Sequence, residues 1–204
     1  DILPGNSHFD TTKGHIEFRK AVALDCTIDE AADTQLEVPF KGNLDPVKLE
    51  AVLQKYPREK IPAVVLTVTN NTAGGQPVSM QNIREVSALC KKYGVNLQMD
   101  SARFAENAYF IKMREKGYEN KTIKEIVKEM YSYADIMTMS SKKDAIVNMG
   151  GFVAFKNEEL WNYLIVGALT TVVSIGSYSI FSKLLKINYL ISNVLSWIVS
   201  VIFA

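Results

Sequence analysis

Two lysines stand side by side in "MSSKKDAIV", Met139 to Val147, directly after the short apolar run "ADIMTM". A lysine held in a partly dehydrated pocket can lose its proton near neutral pH and add to an aldehyde as a Schiff base. Pyridoxal phosphate is the common aldehyde cofactor used this way. It also requires a carboxylate at its ring nitrogen and donors for its phosphate and phenolic oxygen. Asp100, after "VNLQM", is a candidate for that carboxylate, and Arg103, one helical turn on, could reach the same ring. Ser140 and Ser141 could donate to a phosphate. The plain readings stay beside these: adjacent lysines in a turn are ordinarily solvated charge, and an aspartate ending a strand is commonly a helix cap.

The elements that must position these residues alternate along the chain. "AVALDCTI" reads as a strand, and "DPVKLEAVLQKY" as a helix with Asp45 as cap, Pro46 at its first position and Leu49, Val52, Leu53 and Tyr56 on one face. "IPAVVLTVT" is a continuous apolar run of the kind buried on both faces of a parallel sheet. After the turn "AGGQP", Ser79 opens a helix with Met80, Ile83, Val86 and Cys90 on one face, and Gly94 closes it before the strand "VNLQM". Two more helices follow, bearing Phe104, Ala108 and Ile111, then Ile123, Ile126, Val127 and Met130, and after them the strands "DIMTM" and "GFVAF". This order predicts an α/β domain with a mostly parallel sheet. Ligands in such sheets sit beyond the carboxyl ends of the strands, where Asn70, Asn71, Asp100 and "SSKKD" fall.

Of the 23 basic residues, Lys183 and Lys186 lie in the tail; the other 21 face all 22 acidic residues within 1–161. That balance offers no basic face for nucleic acid. Cys26 and Cys90 have no metal-type spacing to His8 or His15 and point to a reducing compartment. "DILPGNSHFD" reads like the interior of a fold, which predicts a fragment.

The motifs "FDTTKGH", "NNTAGGQPVS", "MDSARFAENAYFIK" and "YADIMTMSSKKDAIVNMGG" closely resemble the aromatic amino acid β-eliminating lyases, over roughly residues 3–161. "FDTT" and "SARFAENAYF" are more similar to the tryptophanases of that family than to its tyrosine phenol-lyases. The resemblance implies a partial pyridoxal-phosphate-dependent, aminotransferase-like large domain of fold type I. It makes Lys143 the amine that bonds the cofactor, Asp100 the partner of the ring nitrogen, and Arg103 and Asn71 neighbours of the phenolic oxygen. Phe9 would stack on the ring, Asp10 would lie toward the substrate side chain, Ser140 would contact the phosphate and Lys142 would support the site. The carbonyl of Asn148 would help hold the potassium ion that the family uses. Ser141 departs from the glycine or alanine usual there. The implied reaction splits L-tryptophan into indole, pyruvate and ammonia in a cytoplasmic enzyme that is a homotetramer when intact. The family's upstream phosphate loop and catalytic tyrosine, and its downstream carboxylate-binding arginine, have no counterpart here, so the isolated chain is expected to be nearly inactive.

The tail has another character. Leu164 to Ser182 carries no charge, close to the roughly 20 residues of a membrane span, and Tyr189 to Ala204 is a second apolar run. Thr170, Thr171, Ser174, Gly176, Ser177 and Ser192 are of the kind found where membrane helices pack. "YLIVGALTTVVS" and "NVLSWIVSVIFA" resemble the GtrA-like family of small membrane proteins linked to lipid-carried sugar transfer in cell-surface polysaccharide synthesis. The expectation is therefore a lyase portion at 1–161 joined near Trp161–Tyr163 to a truncated two-helix transmembrane segment at 162–204, with the membrane as partner of residues 164–204.

Overall fold

A computed structural model describes residues 1–203, with the side chains of 158–164, 166–168, 201 and 203 left aside. The chain divides into two compact units, Asp1–Ala154 and Phe155–Ala204.

In the first unit, strands β1 (Ile2–Gly5), β2 (Val22–Asp25), β3 (Ala63–Thr67), β4 (Asn96–Asp100), β5 (Ile136–Ser140) and β6 (Gly151–Phe155) form one sheet in the order β2-β1-β3-β4-β5-β6. The ladders from β2 through β5 are all parallel. Helices α1 (Asp10–Phe18), α2 (Pro46–Lys55) and α3 (Met80–Tyr93) join the first four strands in turn. α4 (Phe104–Arg114) and α5 (Ile123–Tyr133) together carry the chain from β4 to β5. The expected α/β class with a mostly parallel sheet is what forms.

The reasons are local. Every residue of β3 is buried, as a strand covered on both faces must be. The face of α3 predicted from its spacing, Met80, Ile83, Val86 and Cys90, is fully enclosed and packs in one core with Leu66, Leu97, Met99, Ile126 and Met130. Asp45 accepts the backbone N–H groups of Val47 and Lys48 at the start of α2, and Ser79 accepts that of Asn82 in α3. Gly94 ends α3 at φ 67°, a left-handed conformation that glycine adopts without penalty. Gly151 has a different reason: a Cβ there would lie 2.5 Å from the Met139 carbonyl oxygen of β5.

Three buried asparagines tie loops to this frame, each pairing with both backbone groups of one residue. Asn6 Oδ1 accepts from Thr67 N (2.7 Å) while its Nδ2 donates to Thr67 O (3.0 Å). Asn82 does the same with Leu44, at 2.9 and 2.7 Å, and Asn107 with Val78, at 2.8 and 3.0 Å. These amides satisfy buried backbone groups that no ladder reaches.

The second unit contains α6 (Glu158–Ser179), a π-helical turn at Ile180–Leu184 and α7 (Tyr189–Phe203). Ser192, Ser196 and Ser200 form a buried stripe on α7, and Ser196 Oγ donates to the Ser174 carbonyl of α6 (2.9 Å). The membrane expectation has no support here: among the described residues no helix is long and apolar enough to cross a bilayer. The uncharged run 164–182 lies in α6 and passes into the π turn over its last three residues.

Candidate active site

The carboxyl ends of β3, β4 and β5 open onto one cavity of about 710 Å³. Register places Thr67 opposite Asp100 and Asp100 opposite Thr138, so a hydroxyl flanks the carboxylate on each neighbouring strand. Asn71 comes from the loop after β3, Arg103 from the start of α4, Phe9 from the turn before α1, and Ser140, Lys142 and Lys143 from the end of β5 and the loop beyond it. All of these line the cavity, with Met149 to Val153 closing one side.

Ser141, Asp10 and Asn148, all expected at the site, are not among the lining. Asp10 is exposed and begins α1, one residue past Phe9. Asn148, expected to present its carbonyl to potassium, lies in an exposed stretch from Ala145 to Gly150. Among the described residues no group of three His, Cys, Asp or Glu gathers as a metal cluster. The partly dehydrated pocket expected around the lysine pair is also corrected: Lys142 and Lys143 are both exposed, because their loop stands open above the strand end.

Asp100 has the perturbed electrostatics. Burial pushes its carboxyl above the ordinary range, against a smaller opposing effect from the Ala102 N–H. Among the described residues no cation pairs with it, since the Arg103 guanidinium turns to Glu106 at 3.4 Å. A half-buried carboxylate in a cavity wall favours a protonated nitrogen on whatever occupies that cavity. A flat aromatic face at Phe9, amines at Lys142 and Lys143, and hydroxyl and amide donors at Ser140 and Asn71 complete a donor set that suits pyridoxal phosphate.

The sequence reading missed Thr67, Thr69, Gln98 and Thr138 as lining residues. Alternation along β4 could have shown Gln98 and Asp100 on one face, with Leu97 and Met99 on the other. It also missed Asp144 and Glu115 as caps for helices other than their own. Glu115 accepts from Met80 N (2.6 Å) and Gln81 N (2.9 Å) at the start of α3, and Asp144 accepts from Ala105 N (2.7 Å) at the start of α4.

Sheet order and cavity together define a parallel α/β protein with a ligand site at the carboxyl edge of its central strands. The chain belongs to the β-eliminating lyase family, whose model matches residues 3–195. It is 66% identical over 159 residues to a probable beta-eliminating lyase of Trichomonas vaginalis, covering 78% of this chain and 34% of that protein. It is 54% identical to a tryptophanase of Salinibacter ruber (78% and 33% covered) and 52% identical to a tyrosine phenol-lyase of Pasteurella multocida (79% and 35% covered). The chain thus spans about a third of the length of the curated relatives it matches. The family match runs through residue 195, past the join expected near 161–163 and across the stretch expected to resemble a GtrA-like protein.

Proposed function

We propose that residues 1–161 carry the cofactor-anchoring part of a pyridoxal-phosphate-dependent lyase of fold type I that removes the side chain of an aromatic amino acid, with 162–204 a separate segment. The observation that carries this reading is the half-buried Asp100, which pairs with no cation among the described residues, on the wall shared with Lys143 and Phe9. Bound there, pyridoxal phosphate supplies an aldehyde for an amine and a ring that accepts the electron pair left when an α-proton departs.

The chain's own groups divide the work. Lys143 Nζ would hold the aldehyde carbon and, once released by substrate, move the α-proton. The Asp100 carboxylate would keep a proton on the ring nitrogen, and its half-buried charge would gain a partner. Phe9 stacks on the ring, where a flat apolar face contributes area and orientation. Asn71 and Arg103 would donate to the phenolic oxygen, Ser140 would donate to the phosphate, and Lys142 would supply a second positive charge. Asp10, which does not line the cavity, would have to approach the substrate side chain from the start of α1.

L-tryptophan is the proposed substrate, with indole, pyruvate and ammonia as products; "FDTT" and "SARFAENAYF" favour it over tyrosine. The test is to load the chain with pyridoxal phosphate and add each amino acid. The cofactor's absorbance is expected to change with L-tryptophan at lower concentration than with L-tyrosine. A change with tyrosine alone would overturn the substrate assignment.

A further inference from the structure

We infer that Asp144 sets the register of the lysine loop, so that Lys143 rather than Lys142 is offered to the cofactor; this rests on the cofactor reading above. The two lysines are neighbours in sequence, both are exposed and both line the cavity, so exposure does not choose between them. A slip of one residue in the loop would exchange them.

One side chain opposes that slip. The residue before α4, Arg103, supplies no side-chain cap to its helix. Asp144 supplies it from 39 residues downstream, with Oδ2 accepting from Ala105 N at 2.7 Å and Glu106 N at 3.3 Å. Its own backbone N–H donates to Ala102 O at 3.2 Å, making a second point of attachment. The other backbone hydrogen bonds of the loop close on the loop itself: Ser141 N to Gly150 O, Lys143 N to Ser140 O, Ile146 N to Lys143 O and Val147 N to Ser141 O. Among the described residues, Asp144 is therefore the hydrogen-bonded tie between the lysine loop and the segment that carries Asp100 and Arg103. A carboxylate at a helix N-terminus also gains from the helix dipole. Asp144 is not among the cavity's lining residues, so it acts through Lys143 as a positioning residue.

The test is borohydride reduction of the full chain in the presence of pyridoxal phosphate, followed by peptide mapping of the labelled lysines. Wild type is expected to carry the label mainly on Lys143. Asp144→Asn keeps an oxygen that accepts from both N–H groups and keeps the preference. Asp144→Ala lowers the Lys143:Lys142 ratio about fivefold, the population change that loss of one helix cap corresponds to. Asp144→Thr, a weaker cap, falls between them and keeps the question decidable if the alanine variant does not fold. General destabilisation would lower total labelling without changing the ratio. An unchanged ratio in Asp144→Ala, or in Asp144→Thr if the alanine variant does not fold, overturns the inference while leaving the cofactor reading intact, as does an equal loss in Asp144→Asn. A wild-type chain with no preference for Lys143 overturns both.

Discussion

Replacing Asp100 with Asn removes a half-buried charge that meets no cation among the described residues, while keeping the side chain's shape and an acceptor for the Ala102 N–H. Burial holds the folded carboxyl above its ordinary value of 3.8. Between that value and the folded one, the native chain keeps a proton that the unfolded chain has released, so wild-type stability falls as pH rises through this window. Above the folded value the penalty is complete, and below 3.8 it is absent. The carboxylate is only half-buried and keeps the Ala102 N–H, so exchanging its uncompensated charge for a neutral amide should stabilise the cofactor-free chain by about 1 kcal/mol at neutral pH. In a domain of this size each kcal/mol raises Tm by about 2–4 °C. Urea or thermal melts of both proteins at several pH values provide the assay, and their stabilities should converge at about pH 3. Affinity for pyridoxal phosphate should move the other way and drop by about tenfold or more, as expected for loss of a hydrogen bond to a charged group. A variant less stable than wild type at neutral pH, or a stability difference that ignores pH, would show that the carboxylate is already compensated and would refute the argument.

Three further outcomes follow from the same packing. The Thr69 hydroxyl is buried without a hydrogen-bond partner, so Thr69→Val should leave stability unchanged or raise it by about 1 kcal/mol in denaturant titration. Asn107→Ala strands the N–H and C=O of Val78, both satisfied by its amide, and should cost about 2–3 kcal/mol and speed amide exchange in the loop bearing Asn71. Burial alone would raise the Glu129 carboxyl, but hydrogen bonds from Lys121, Arg84 and Tyr118 outweigh it and hold the group at about 2. Its folded value is thus depressed, and the stability it contributes is present above 4.5 and lost as pH falls toward 2. Glu129→Gln should cost about 1–2 kcal/mol at pH 7 after allowance for solvent screening of its partners, and nothing in melts run near pH 2.

The sequence made the central layer legible because apolar spacing and helix caps are local signals. β3 and β4, the buried face of α3, the Asp45 and Ser79 caps and the glycine stop at Gly94 all arise within a few residues of the groups they serve. The strand-end rule then pointed to Asp100 and the lysine pair, which share a cavity in the folded chain. Long-range polar pairings carry no periodicity. Nothing near Asn6, Asn82 or Asn107 marks them as clamps on Thr67, Leu44 and Val78, and the Asp144 carboxylate meets the amides it caps only after β5 has folded beside β4. The tail's packing was illegible for a related reason: a charge-free run reports what a segment avoids, whereas the π turn at Ile180–Leu184 and the buried serine stripe of α7 depend on how the helices pair.

The most direct test of the central claim is a titration of the chain with pyridoxal phosphate, read by visible absorbance in wild type, Lys143→Ala and Lys142→Ala. The account predicts a saturable band in wild type that survives Lys142→Ala and disappears in Lys143→Ala. A band that persists in Lys143→Ala, or is lost only in Lys142→Ala, would contradict it.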